Sequence, residues 1–317
     1  MHSPEFPKNL RWLNSSPFEM KAMRGKKVVL IDFWTYTCIN CIRTLPHVKE
    51  WHDKYGSTAL PPKRRGSLTE SGTACKPGLV IVGVHTPEFE FEKNVENVQR
   101  AIKAFEIEYP VVMDNDYQIW SLYSNNVWPR KFLVNKEGQI IYDHAGEGGY
   151  RETEEAIQKA LLELNPELKL QPIESDPSTT LGTGKVCLSA TPETYLGSMR
   201  SSTSLTAGGR RIWNREGIWK VFSEYIEHER ATENFQDYIA LNFEAHEVNL
   251  VMEMPGERAA KVRLELDGRY LRDIEVRNAK MYNLVSPKDI THEHGSTSLA
   301  ASGGAPRGQL KIFVRDV

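Results

Sequence analysis

The sequence contains no run of about 18 to 20 apolar residues, the length that a helix needs to cross a membrane. A charge excess is also lacking, because 40 basic and 42 acidic side chains give a formal net charge of −2. Nucleic acids and anionic membrane surfaces bind proteins with a large positive field, so neither is expected as a partner. The opening segment MHSPEFPKNL has no basic region followed by an apolar run, the pattern of a secretory leader. The sequence as given therefore predicts a cytoplasmic protein, and an extracytoplasmic one if the chain is truncated.

Cysteine is scarce, with four residues in a chain of 317. Small secreted scaffolds that depend on disulfides are much richer in cysteine, so that class is excluded. Cys38 and Cys41 stand three positions apart, whereas Cys75 and Cys187 have no neighbouring cysteine in the sequence. Only the close pair is informative, and no role is assigned to the other two.

The first half of the chain alternates apolar runs with helical patterns. KKVVLIDFW and GLVIVGVHT are predicted to be buried strands, a helix is predicted after the first, and KFLVNKEGQIIYDHAG is predicted to form a hairpin. Strands separated by helices favour an α/β sheet, and the late hairpin adds antiparallel strands at one side. We therefore predict an α/β domain over residues 1–164, with a polar loop insertion at 57–77.

The second half has a different pattern. Residues 165–184 are rich in Pro, Ser, Thr and Gly and have no period, which indicates a linker. Residues 185–317 alternate apolar and polar side chains over short stretches divided by Gly, Pro and Asp. This pattern is typical of an all-β domain of the β-sandwich or jelly-roll class.

The pair Cys38 and Cys41 could bind a metal, staple the fold or exchange electrons. A zinc site needs about four ligands, and no second Cys or His pair at comparable spacing is present. A disulfide across so short a loop removes little chain entropy and favours a strained, reducible bond over a staple. Redox chemistry fits the position best, because Cys38 falls at a predicted helix start, where amide groups and the helix dipole stabilise a thiolate. Cys41, one turn later, is expected to be more buried and suits a resolving thiol.

The stretch VVLIDFWTYTCINCIRTLP resembles the active site of the thioredoxin superfamily. It has a strand, a CxxC pair at a helix start, an acid six positions before the first cysteine (Asp32) and a proline five positions after the second (Pro46). WPRKFLV resembles the cis-proline loop of that superfamily, with Pro129 facing the cysteines. The helical stretch FEFEKNVENVQRAIKAF resembles the insertion of the TlpA-like branch.

Further motifs extend the resemblance over nearly the whole chain: GVHTPEFEFEK, GEGGY, TPETYLG and LNFEAHEV. Together with DFWTYTCINC, they resemble cytochrome c biogenesis-type proteins that join a TlpA-like thioredoxin domain to a β-sandwich similar to a carbohydrate-binding module. The resemblance implies a thioredoxin-like fold, with a central mixed sheet flanked by helices. It also implies thiol-disulfide exchange that needs no cofactor and no metal.

The resemblance also implies roles for individual residues. Cys38 is the implied nucleophile and Cys41 the resolving thiol, while Asp32 passes protons to and from Cys41. From the residues alone Asp32 could be an exposed strand-end carboxylate, but a lone acid inside VVLIDFW is expected to be buried with a raised pKa. Trp128 and Pro129 are implied to guide an extended substrate, although Pro129 could merely begin a strand. The remaining candidate substrate contacts surround the pair: Trp34, Tyr36 and Thr37.

The implied partners are a protein or small-molecule disulfide substrate and a thiol reductant system. A CcdA- or DsbD-like membrane electron donor is one candidate reductant, and carbohydrate is a candidate ligand of the β-sandwich. Two other functions remain as alternatives. One is a thiol-dependent peroxidase, although the residues before Cys38 lack the proline of a peroxiredoxin motif. The other is a glycan- or protein-binding module whose redox domain is ancillary.

Overall fold

The computed structural model describes residues 1–56, 78–173, 191–200, 212–229, 234–254, 256, 258–291 and 307–316. It contains two units, Met1–Thr183 and Gly184–Val317. The predicted insertion at 57–77 lies outside the described residues, as do Cys75, Cys187 and the predicted linker from residue 174 onward. The domain boundaries given above remain a prediction. Among the described residues, no helix combines the length and the apolarity required to span a bilayer.

The N-terminal unit is built on one mixed sheet. Its elements are β1 (Arg11–Leu13), α1 (Met20–Met23), β2 (Val28–Trp34), α2 (Ile39–Tyr55), β3 (Leu79–His85), a 3-10 helix (Glu90–Lys93), α3 (Val95–Ala104), β4 (Val111–Met113), α4 (Gln118–Leu122), β5 (Arg130–Val134), β6 (Ile140–Ala145) and α5 (Tyr150–Leu164). The strand order is β1-β4-β3-β2-β5-β6. β2, β3 and β4 are parallel, while β1, β5 and β6 pair antiparallel to their neighbours. The predicted α/β sheet with a late antiparallel hairpin is confirmed.

Strand β2 lies in the middle of this sheet, and all seven of its residues are buried. Successive side chains of a strand point to opposite faces. The apolar residues of β2 alternate between two hydrophobic cores: Val28, Leu30 and Trp34 in the first, and Val29, Ile31 and Phe33 in the second. Asp32 has the parity of the first set, so its carboxylate faces the core that also contains Cys41 of α2.

Helix α2 follows β2 after a short turn and packs on the first of these cores. Its buried residues recur at helical spacing: Cys41, Thr44, Leu45, Val48, Trp51 and Tyr55. The helix continues past Pro46 to Tyr55, although proline removes one backbone donor from a helix interior. The apolar stripe is therefore sufficient to hold the helix against the sheet on both sides of the proline.

Among the residues that the structure describes, the C-terminal unit is all-β apart from one short helix. Its elements are β7 (Trp213–Glu216), β8 (Trp219–Val221), β9 (Ile226–His228), β10 (Tyr238–Glu244), β11 (Val248–Met252), β12 (Ala260–Leu266), β13 (Arg269–Val276), β14 (Lys280–Val285), α6 (Pro287–Thr291) and β15 (Arg307–Asp316). The strands pair as β13-β12-β15-β10-β7, β11-β14 and β8-β9, all antiparallel. Residues from the five-stranded sheet and from the β11-β14 pair share one hydrophobic core. The predicted β-sandwich class is confirmed.

Candidate redox site

Cys38 and Cys41 lie at the start of α2, and both thiols are free. Cys38 is the N-cap residue, and its Sγ accepts a hydrogen bond from the backbone N–H of Cys41 at 3.3 Å. A sulfur at this position faces the positive end of the helix dipole, which stabilises a thiolate. Cys38 is half-buried, whereas Cys41 is buried with 1% of its surface exposed. Cys38 is thus the more accessible of the two thiols.

The environment of Cys41 disfavours its thiolate. Burial raises the pKa of Cys41 well above its ordinary value, and the hydrogen bond with Cys38 and the charge of Cys38 act in the same direction. The backbone of Thr35 hydrogen-bonds the thiol and lowers its pKa, while the charge of Asp32 raises it. Cys41 therefore needs a proton acceptor before it can act as a nucleophile.

Asp32 lies on the first core side of β2, and 1% of its surface is exposed. Burial raises the pKa of Asp32 to about 6, and the positive charge of Lys131 partly opposes this effect. The carboxyl is therefore ionised near neutral pH but retains affinity for a proton, as a general base requires.

Lys131 is a buried cation opposite Asp32. The two residues are partners in the antiparallel pairing of β2 with β5, and Lys131 is 0% exposed. Burial lowers the pKa of Lys131, while the charges of Asp32, Cys41 and Glu147 raise it. Its Nζ lies 5.9 Å from the ring centroid of Tyr150, at the start of α5. Lys131 therefore supplies a positive charge to the buried space beneath the cysteine pair.

A glycine on the next strand leaves room for two aromatic side chains beside Asp32. Gly83 of β3 pairs with Asp32, and a Cβ placed on Gly83 would lie 2.9 Å from Trp34 Nε1 and 3.1 Å from the Tyr109 ring. Burial raises the pKa of Tyr109 well above its ordinary value, and the charges of Asp32 and Cys41 add to that effect. Within the described residues, four buried polar atoms make no hydrogen bond here: Asp32 Oδ1, Lys131 Nζ, Tyr109 Oη and Trp34 Nε1. Charges in such a buried cluster influence one another strongly.

The Trp128–Pro129 loop lies at the same edge of the sheet as the cysteine pair, because β5 begins at Arg130, opposite Phe33 near the end of β2. The Trp128–Pro129 peptide bond is cis. Trp128 is half-buried and donates a hydrogen bond from Nε1 to the Thr86 carbonyl at 3.1 Å. Pro129 is buried, and its carbonyl accepts a hydrogen bond from Gly146 N–H at 2.8 Å. The half-exposed ring of Trp128 is thus the part of this loop that a substrate could reach.

The other three candidate substrate contacts are buried. Trp34, Tyr36 and Thr37 expose 1%, 3% and 5% of their surfaces. Trp34 and Tyr36 pack on the ring of His85, whose pKa burial lowers to about 3. Thr37 Oγ1 donates a hydrogen bond to Glu92 at 2.6 Å. The structure therefore gives these three side chains packing positions.

Sequence reasoning missed three residues of this site, namely Lys131, Tyr109 and Glu92. Lys131 precedes the apolar run FLV but follows Arg130, so the sequence does not mark it as a buried cation. Glu92 stands beside two other glutamates, Glu88 and Glu90, and Tyr109 belongs to no motif, so the sequence does not distinguish them either.

Comparison with known proteins agrees with this geometry. A family model described as "Thioredoxin-like" matches residues 25–140, and one described as "Thioredoxin like C-terminal domain" matches residues 191–304. The N-terminal fold is therefore that of a thioredoxin-like domain. The chain belongs to the thioredoxin superfamily.

Within that superfamily the chain resembles the protein DipZ of Mycobacterium tuberculosis, with 39% identity over 189 residues. The match covers 59% of this chain and 24% of the length of DipZ. The thiol-disulfide oxidoreductase YkuV of Bacillus subtilis is 25% identical over 160 residues, which are 50% of this chain and 94% of YkuV. A solution structure of a thioredoxin-like protein in the oxidized form aligns with a TM-score of 0.42 and 25% identity, over 51% of this chain and 95% of that chain. The sequence relatives confirm the resemblance that the motifs indicate.

Proposed function

We propose that this protein is a thiol-disulfide oxidoreductase that reduces disulfides of protein substrates through Cys38 and Cys41. The observation that carries the proposal is the difference between the two thiols. Cys38 is half-buried at a helix start, and Cys41 is buried on the core face that Asp32 also occupies. The YkuV and ResA proteins of Bacillus species, which are similar to this chain, are named thiol-disulfide oxidoreductases.

In the first step the Cys38 thiolate attacks one sulfur of the substrate disulfide. A bond forms between Cys38 and that sulfur, the substrate S–S bond breaks, and the second substrate sulfur leaves with the electron pair as a thiolate. The helix start supplies the amide group and the dipole that favour the attacking thiolate of Cys38. The product is a mixed disulfide between the protein and its substrate.

In the second step Cys41 resolves the mixed disulfide. Asp32 accepts the proton of Cys41, and the resulting thiolate attacks the Cys38 sulfur. The Cys38–Cys41 bond forms, the bond from Cys38 to the substrate breaks, and the substrate sulfur leaves as a thiolate. Two electrons have then passed from the cysteine pair to the substrate, and an external dithiol must reduce the pair again.

The loop at Trp128 and Pro129 guides the substrate in this proposal, because it lies beside the cysteine pair at one sheet edge. The reductant depends on the compartment. In the cytoplasm a soluble dithiol donor suffices, whereas an extracytoplasmic chain needs electrons from a CcdA- or DsbD-like membrane donor. The β-sandwich serves as an accessory domain for docking or ligand binding, with carbohydrate as one candidate ligand.

Trapping of the mixed disulfide tests the proposal. The wild-type protein should reduce insulin disulfides in the presence of dithiothreitol, and Cys38→Ser should abolish this activity. Cys41→Ser should retain the first step and accumulate a covalent adduct with insulin chains that dithiothreitol releases. Activity of Cys38→Ser equal to that of the wild type would refute the proposed function.

A further inference from the structure

Glu92 is a buried acid that accepts four hydrogen bonds. It lies in the 3-10 helix after β3 and is 0% exposed. Its Oε1 accepts from the hydroxyls of Thr35 and Thr37, both at 2.6 Å. Its Oε2 accepts from the backbone N–H groups of Glu88 at 2.6 Å and Phe89 at 3.0 Å. An ionised carboxylate is an acceptor only and can use all four donors.

Thr35 connects this carboxylate to both cysteines. Its hydroxyl is bound to Glu92, and its carbonyl accepts a hydrogen bond from Cys38 N–H at 3.4 Å. Its backbone also hydrogen-bonds the Cys41 thiol and lowers the pKa of that thiol. Thr37, whose hydroxyl also donates a hydrogen bond to Glu92, directly precedes Cys38 in the chain. The turn between β2 and α2 is therefore held at two points by one buried carboxylate from a different element.

We propose that Glu92 is a positioning residue for the resolving step: it holds the turn from Thr35 to Thr37, and with it the Thr35 backbone that binds the start of the helix carrying Cys38 and Cys41. This inference rests on the proposed oxidoreductase function. Glu92 does not exchange electrons or protons with the substrate. It acts through Thr35, on the step in which Cys41 attacks the Cys38 sulfur and the substrate sulfur leaves.

Other charged or titratable groups also face Cys41. Cys38 lies on the same helical turn, Asp32 on β2, Lys131 on β5 and Tyr109 in the segment before β4. In the part of the chain that the structure describes, the hydrogen bonds of Glu92 go to Thr35, Thr37, Glu88 and Phe89 and to none of these four side chains. A shift in the pH profile of the resolving step is then attributable to the turn that Glu92 holds.

The two steps can be separated with Ellman's reagent, an aromatic disulfide that releases a coloured thiolate. Attack by Cys38 releases the first thiolate and leaves a mixed disulfide, and attack by Cys41 releases the second. Cys75 and Cys187 are replaced by serine in every protein compared, so that two thiols remain. Stopped-flow absorbance then gives one rate for each step at each pH.

Glu92→Ala and Thr35→Val should slow the second release about tenfold at pH 7 and shift its pH profile to higher pH. The first release should change less than about twofold. In Glu92→Gln the side-chain amide oxygen can still accept hydrogen bonds from the backbone N–H groups of Glu88 and Phe89. The hydroxyls of Thr35 and Thr37 must instead rotate to accept hydrogen bonds from the amide NH2 group. A smaller shift in the same direction is expected for that variant. Glu90→Gln, on the same 3-10 helix but exposed, is the matched control and should behave like the wild type.

A double-mutant cycle separates positioning from general damage. If Glu92 acts through the hydroxyls of Thr35 and Thr37, adding Glu92→Gln to a Thr35→Val, Thr37→Val variant should slow the second release no further. Far-UV circular dichroism establishes that each variant is folded, and if Glu92→Ala does not fold, the Glu92→Gln and Thr35→Val results decide. The inference would be overturned if a folded Glu92→Ala or Thr35→Val variant kept the wild-type pH profile of the second release. Additive losses of rate in the combined variant would overturn it as well. A wild-type protein that releases only one thiolate would instead contradict the proposed function itself.

Discussion

Asp32 and Lys131 face each other across strands β2 and β5 on the side of the sheet that carries the cysteine pair, and both are almost completely buried. Within the part of the chain that the structure describes, Asp32 Oδ1 and Lys131 Nζ make no hydrogen bond. Two opposite charges in a buried environment interact strongly with any charge that forms nearby. Their effect falls on Cys41, whose thiolate forms in the proposed resolving step.

The stability of the protein should reflect the raised pKa of Asp32. The folded-state pKa, about 6, exceeds the ordinary value of 3.8, so the ionised group costs stability as the pH rises through this interval. The cost is absent below pH 3.8 and complete above pH 6. Asp32→Asn should therefore gain about 2 kcal/mol in free energy of unfolding, relative to wild type, between pH 4 and pH 8. Urea unfolding at both pH values measures this, and a pH-independent difference would show that the carboxyl is not perturbed.

Lys131→Met should shift the activity of the protein toward higher pH. Lys131 lowers the pKa of Asp32, so its removal raises that pKa and leaves less of the base form at neutral pH. Turnover of insulin at pH 6 should fall about tenfold, with recovery at higher pH. Lys136→Met, in the turn of the same hairpin, removes an equal charge from a more exposed position and should leave the profile unchanged. Equal losses at every pH would assign Lys131 to packing alone.

Gly83→Ala should destabilise the N-terminal unit and disturb the site together. The added Cβ would come within 2.9 Å of Trp34 and 3.1 Å of Tyr109, and overpacking of this kind costs about 1 to 3 kcal/mol. Val82→Ala, on the opposite face of the same strand, creates a cavity of similar cost, about 2 kcal/mol. Only Gly83→Ala should also change the pH profile of turnover. If both variants leave that profile intact, the aromatic side chains beside Asp32 do not influence its proton affinity.

Trp128→Ala should affect protein substrates more than small ones. The ring packs on Trp120 with 4.3 Å between centroids and donates to the Thr86 carbonyl, so it holds the loop beside the cysteine pair. Loss of the Trp128 ring should raise KM for insulin about tenfold, because an extended protein substrate is proposed to bind along the Trp128–Pro129 loop. The rate with oxidised glutathione, which is too small to use that loop, should change only about twofold. Trp128→Phe keeps an aromatic ring but lacks the Nε1–H donor, so its KM for insulin should lie between those of the wild type and Trp128→Ala. Equal effects on both substrates would limit Trp128 to supporting the fold.

The N-terminal unit should keep its activity when separated from the β-sandwich. Limited proteolysis is expected to cut within residues 165–184, with a second cut within 57–77, where the composition predicts a linker and a loop. A fragment of residues 1–164 should reduce oxidised glutathione at the rate of the full chain. A folded but inactive fragment would mean that the C-terminal unit contributes to the redox site.

Sequence patterns were sufficient for the order of elements around the site. The apolar run of β2, the helix that starts after Cys38 and the hairpin of β5 and β6 all follow from local periodicity and turn residues, because each of these signals lies within one short segment. The position of Asp32 as a lone acid inside the apolar run of β2 also indicates that it is buried, and the structure agrees. The CxxC pair and its position relative to the helix are local features as well.

Tertiary structure alone decided which distant residues meet at that site. Thr35 and Glu92 are 57 positions apart, and Asp32 meets Lys131 only through the register of β2 with β5. Register and packing also determine that Trp34 and Tyr36 are buried against His85 and not presented to a substrate. Partners of this kind are chosen when separate segments close over one core, and the free energy of that closure depends on the whole set of contacts, which a local sequence pattern does not contain.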